Sequence, residues 1–144
     1  MKLTKNFSLK EMTKTDTGLS NKPTERTKDN LFFLCTYLLQ PIRNRWGRTT
    51  VNSGLRVIAV NTAVGGSDNS EHIEGKAGDI DPAEAGIKEV FNWIMASDLK
   101  YGQLIYEKRG DVEWIHISLP RKGKPNGQNL SIIDGVRTKV TAPL

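Results

Sequence analysis

His72 and His116 are the only histidines in this chain of 144 residues. His72 lies in the polar, glycine-rich stretch SEHIEGKAGDID (residues 70–81), and His116 lies in VEWIHISL, which reads as a strand. Asp79 follows His72 by seven positions, with Gly75 and Gly78 between them. On a continuous helix that spacing separates two side chains by two turns, too far to share one ion. On a loop that folds back into a strand they can converge. Imidazole and carboxylate are both good zinc ligands, and two histidines with one aspartate make three. Three protein ligands are the pattern of a catalytic zinc site, which keeps one position open for water. Such chemistry also needs an acid/base group beside that water, and Glu107 can supply it.

These side chains must be positioned by strands. GQLIYEK and VEWIHISL flank the sequence RGD, and a two-residue turn at Gly110 and Asp111, with glycine first, would join them as a hairpin. In that register Ile105 faces His116 and Glu107 faces Trp114. Cross-strand partners share a face, as do alternate residues along a strand. Glu107, Trp114, His116 and Ser118 are therefore expected on one face. Ile115, Ile117 and Leu119 fall on the other, the core face, together with Glu113. A slip of one residue would reverse the assignment.

The rest of the chain reads as helices first and strands late, which makes the fold class α+β. Ser8 and Glu11 form a capping box, with Phe7 and Met12 as its hydrophobic staple. A longer helix carries Leu31, Leu34, Cys35, Leu38, Leu39 and Ile42 on one face, and Pro41 should kink or end it. TTVNSGLR reads as a strand and turn, and IAVNTAVGG as a short helix stopped by Gly65. Asp81, Pro82 and Glu84 have the pattern of an N-cap, first and third helical positions, so a helix is expected to start there and to bury Ile87, Val90, Phe91, Ile94 and Met95. LSIIDGVRTKV can add a hairpin. No linker interrupts the chain, so one domain over residues 1–144 is expected.

The size suffices for a core without disulfides. Cys35, the single cysteine, sits at a core spacing and reads as a buried, inert thiol. No apolar run approaches the ~20 residues that span a bilayer, and the first residues lack the apolar core of a secretory signal. The net charge of +5 favours polyanionic partners. The excess is scattered apart from RKGK (residues 121–124), which reads as a solvated loop. A nucleic-acid binder is disfavoured because no helix is dense in arginine or lysine.

SEHIEGKAGDI fits S-x-H-x-x-G-x-A-x-D-I at every fixed position. It resembles the zinc D-alanyl-D-alanine carboxypeptidases and their relatives: D-Ala-D-Ala dipeptidases, phage L-alanyl-D-glutamate endolysins and the hedgehog signalling domain. LQPIRNRWG, VNSGLR, AVGGS, QLIYE and WIHIS also resemble stretches of the short, phage-associated branch of that group, in the same order. The resemblance runs from about Phe7 to Ser118. It implies a small antiparallel sheet that carries a zinc site and packs against helices. It implies His72, Asp79 and His116 as the zinc ligands and Glu107 as the acid that activates water. Some relatives carry that acid three residues before the second histidine, where Glu113 stands. Arg56 matches an arginine that steadies a substrate carboxylate or the oxyanion, a task suited to its planar fork. Ser70 matches a substrate-contacting hydroxyl or else braces its loop. Trp114 either walls the substrate groove or packs within its strand. Leu55 and Val57 depart from the aromatic and serine that often flank the arginine, which bears on substrate preference.

The reading is a monomeric zinc peptidase that cuts peptidoglycan stem peptides, D-Ala-D-Ala carboxypeptidase-like or L-Ala-D-Glu endopeptidase-like, of phage or prophage origin. It would be made in the host cytoplasm without a signal peptide and act on the wall after release or within the virion, with no nucleic-acid partner and no membrane insertion. The alternative is a catalytically silent binding or virion-structural module on the same fold.

Overall fold

Ser8 caps the first helix, α1 (Leu9–Met12), in the expected capping box. Its hydroxyl accepts from the Glu11 N–H at 3.1 Å, and Phe7 and Met12 are both buried. In the computed structural model, which describes residues 1–144, Thr24 caps α2 (Glu25–Leu34). The chain then runs through a π-helical turn at Cys35–Leu39 into α3 (Gln40–Trp46). Pro41 thus does not end the helix. The Gln40 N–H reaches back five residues to the Cys35 carbonyl, and this wider turn shifts the hydrogen-bond ladder just ahead of the proline, which has no N–H to give and whose ring crowds the turn before it. Cys35 is fully buried within that turn, and burial, with the charge of Glu11, pushes its thiol up to about 12.

The next elements are β1 (Thr49–Ser53), α4 (Ile58–Ala63), a 3₁₀ turn (Glu71–Glu74) and β2 (Ala77–Pro82). Asp81 and Pro82 are strand residues, not the start of a helix. Thr50 pairs with Asp81 and Thr49 with Pro82, and the Ala83 N–H donates to the Arg48 carbonyl. The backbone that would have begun a helix is used by the sheet. Glu84 turns back to accept from the Arg48 N–H at 3.2 Å. The helix α5 (Ile87–Ala96) begins only after Gly86, and it buries Val90, Phe91 and Ile94 fully.

β3 (Gln103–Arg109) and β4 (Val112–Ser118) form the expected hairpin, with Ile105 opposite His116 and Glu107 opposite Trp114. Gly110 has φ +58°, as the first position of a tight hairpin turn of this type requires. β5 (Gln128–Ile133) and β6 (Val136–Lys139) make the second hairpin. The sheet order is β1-β2-β4-β3-β5-β6. It is not wholly antiparallel: the segment after β4 crosses the end of β3 and sends β5 along it in the same direction. Leu104, Tyr106, Ile115 and Ile117 turn one face of the sheet into a cluster of 20 buried residues shared with the helices. No helix is long and apolar enough to cross a membrane.

Gly75 ends the 3₁₀ turn with φ +73°, and a Cβ there would meet the Thr27 carbonyl oxygen at 2.8 Å. Gly75→Ala combines a left-handed backbone with a backbone clash, so it should lower the unfolding free energy by about 2 kcal/mol in urea titration. A loss under about 0.5 kcal/mol would show that the turn relaxes freely.

Candidate metal centre and active site

Asp79 and His116 are cross-strand partners in the β2–β4 ladder, so their side chains leave the sheet on the same face. The His116 Nδ1 lies 3.0 Å from the Asp79 Oδ1. His72 arrives from the 3₁₀ turn. The Ser70 hydroxyl accepts from the His72 N–H at 3.2 Å, and the Arg56 N–H donates to the His72 carbonyl at 2.9 Å. These bonds set the His72 Nε2 3.3 Å from the same Asp79 oxygen. The three candidate ligand atoms lie within 4.8 Å of one another.

The tautomer of His72 follows from its other nitrogen. Nδ1 lies 2.7 Å from the Gly54 carbonyl oxygen, which only accepts, so Nδ1 carries the proton and Nε2 a lone pair. That Nε2 is buried and has no hydrogen-bond partner. A lone pair facing a carboxylate oxygen in a buried place is unfavourable unless a cation lies between them. The group therefore fits a divalent metal ion.

The charges agree. Burial works to raise the Asp79 carboxyl, but the two imidazoles that face it hold it far below its ordinary value. Burial opposes the charging of His116, yet its bond to Asp79 and the charges of Asp79, Glu107 and Glu71 raise its imidazole above the usual 6.5. Glu107 is raised, first by burial and then by the charge of Asp79, with His116, the Trp114 bond and His72 opposing. Burial lowers the Arg56 guanidinium, while Asp79 and Glu107 pull the other way.

A cavity of about 560 Å³ gathers Arg56, Ser70, His72, Asp79, Glu107, Trp114 and His116 in its lining, which is every site residue expected from the sequence. The Trp114 indole N–H donates to Glu107 Oε2 at 2.5 Å. Glu113 lies on the opposite face, where it accepts from the Tyr106 hydroxyl, and it does not line the cavity. Ser70 both braces the turn and lines the cavity, and it accepts from Arg56 Nη2 at 3.3 Å.

The cavity also holds residues that sequence reasoning missed. Gln103 and Arg109 share the parity of Glu107 on β3 and were open to the same argument. Arg121 belongs to the run read as a solvated loop, yet its side chain is only 16% exposed and donates to Gln128 at 2.8 Å. Arg137 arrives from β6, and no local signal marks it.

The sequence profile of the family described as Peptidase M15 matches residues 2–118. No curated protein matches the chain.

The protein should bind one divalent ion in calorimetric titration, and His72→Ala or His116→Ala should abolish tight binding. Wild-type stoichiometry in both variants would reject the site. The stripped protein should still melt cooperatively, because its core does not include the ion. Protons compete for the His116 lone pair, so affinity should be full at high pH and fall as pH drops through the raised value of His116, beginning above 6.5. Affinity that is flat from pH 8 to pH 5.5 would exclude His116 as a ligand.

Proposed function

The chain belongs to the peptidase M15 family, whose members are metal-dependent, and from that premise we propose that it is a zinc peptidase that hydrolyses peptidoglycan stem peptides. The observation that carries this reading is the convergence of three ligand atoms, one raised carboxyl and one half-buried arginine in a single cavity. We propose phage or prophage origin on the resemblance in residues 7–118. The positive charge of the chain suits an anionic wall.

His72, Asp79 and His116 would hold the ion. When bound, it supplies a Lewis acid that polarises the scissile carbonyl and acidifies water. Glu107 is the base: burial and the Asp79 charge raise its pKa, bringing it nearer neutrality, where a carboxylate can both take and return a proton. Trp114 holds Oε2 and leaves the other oxygen of Glu107 to take the proton from water and deliver it to the leaving amine. Arg56 lines the same cavity, and its planar guanidinium suits the developing oxyanion. Glu113, engaged with Tyr106 on the far face, takes no part.

Purified cell wall should release muropeptides with the protein, and chelation should stop the release. Mass spectrometry of the products identifies the bond. A metal-loaded, folded protein that leaves the wall unchanged would point to a silent binding module. Glu107→Gln should keep metal and fold but lose at least ~10²-fold in turnover, whereas Glu113→Gln should cost far less. A dead Glu113→Gln beside an active Glu107→Gln would reverse the assignment. Arg56→Lys should also lose most turnover, because lysine keeps the charge without the fork. Near-full activity would show that charge alone suffices.

A further inference from the structure

Four cations of the cleft are not used by the chemistry above: Arg109, Arg121, Lys124 and Arg137. Three of them come from the chain beyond residue 118, outside the family match. The sheet register locates them relative to Glu107. Arg109 lies two residues further along the same face of β3, about 7 Å away at the usual strand rise. Arg137 pairs with Ile132, itself beside Glu107, so it stands two strands across, roughly 10 Å away.

The other pair lies in the opposite direction. Gln103 is four residues back along β3, roughly 13 Å from Glu107. Its amide donates to the Gln128 side chain, which accepts from Arg121 Nη2. The loop that carries Arg121 and Lys124 is fixed by its own bonds. The Arg121 N–H donates to the Asn126 side chain at 2.7 Å, and the Asn126 amide donates back to the Arg121 carbonyl at 3.0 Å. Arg121 Nε is buried without a hydrogen bond and forms an ion pair with Glu71 at 4.0 Å, so Lys124 is the freer cation at this end.

A second cavity of about 400 Å³ lies beside that end and shares Glu71, Arg121 and Lys124 in its lining, to which it adds Lys76 and Lys122 against Asp68 and Glu74, so cations still outnumber acids there. Positive charge thus lies on both sides of the reacting groups, over roughly 20 Å, the length of about six residues of extended chain. An enzyme that trims a chain end needs a wall beyond the bond and one clamp for one carboxylate. Cations on both sides of the reacting groups suit the middle of a chain.

Building on the peptidase reading, we infer that the cleft takes an extended acidic peptide that passes through it, with free carboxylates on both sides of the bond cut. The enzyme is then an endopeptidase, and the segment after residue 118 supplies its preference for acidic substrate.

The test uses a fluorescently labelled six-residue peptide with a carboxylate on each side of a reduced, uncleavable central bond, and a twin with both carboxylates amidated. Anisotropy with the metal-loaded protein should show at least about tenfold tighter binding of the acidic form, weakening as salt is raised. Lys124→Gln and Arg137→Gln should each weaken the acidic peptide about threefold, the scale of an exposed charge pair, and so shrink the discrimination. Lys5→Gln, with the same change in net charge far from the cleft, should leave the discrimination as it is. Equal binding of the two peptides, an effect of Lys5→Gln as large as that of Arg137→Gln, or equal competition by millimolar inorganic phosphate would each overturn the inference. Cleavable versions separate this inference from the peptidase reading. Selective binding without cleavage of either peptide sinks the peptidase reading, and the endopeptidase assignment with it, but leaves the acidic preference of the cleft; cleavage of both with equal kcat/KM sinks the inference alone. Cleavage that requires a free terminal carboxylate next to the bond would also overturn it.

Discussion

A buried lone pair is the constraint around which this molecule is arranged. Nε2 of His72 has no partner and faces a carboxylate oxygen, an arrangement that a protein keeps only where something positive resides. Its direction depends on the Gly54 carbonyl, and Gly54 is itself confined: a side chain there would come within 2.4 Å of the Met12 carbonyl oxygen. Met12 ends the first helix and accepts from the Leu55 N–H, while Asn21 ties Thr13, Leu55 and Val57 together through its side-chain amide. The small N-terminal helix, remote in sequence, is thus part of the scaffold of the histidine. The His72 ring is held by a backbone carbonyl, the kind of support that keeps a first ligand in one orientation.

Where local chemistry decides structure, the sequence was legible. Gly110 and Asp111 allow one tight turn, that turn fixes one register, and the register puts Glu107 and His116 on a common face. The capping box at Ser8 and the left-handed Gly65 follow from single residues in the same way. Where distant segments compete for the same backbone, local signals misled. Asp81, Pro82 and Glu84 carry a helix-start pattern, but β1 offered their backbone a ladder first. Pro41 carries a helix-stop signal, but a π turn absorbed it without breaking the core face that Leu38, Leu39 and Ile42 share. The parallel pairing of β5 and the placement of Arg121 and Arg137 depend on where a crossing segment lands, which no window of neighbouring residues encodes. The convergence of His72, Asp79 and His116 was legible chiefly through the resemblance, since their spacing alone fits many loops.

The sheet divides its labour across its width. Its central strands, β2, β4 and β3, carry the candidate ligands and acid, with a fully buried apolar face beneath them. At one margin the exposed strand β6 carries Arg137 and Lys139, and the loop that leads to β5 carries Arg121, Lys122 and Lys124. Change at the margin therefore leaves the centre undisturbed, because the outer residues share no hydrogen bond with His72, Asp79 or His116. A scaffold built this way can alter what it grips while keeping what it does.

The contact between Trp114 and Glu107 gives the protein an optical reporter of its own. An indole whose N–H is held by a carboxylate emits differently from one whose partner has been neutralised. The other two indoles, Trp46 and Trp93, pack edge to face against each other and line no part of the cavity. The emission that changes with acidification near the centre of the cleft is therefore that of Trp114. Its emission reports on the charges around Glu107, in the resting protein, without substrate or label.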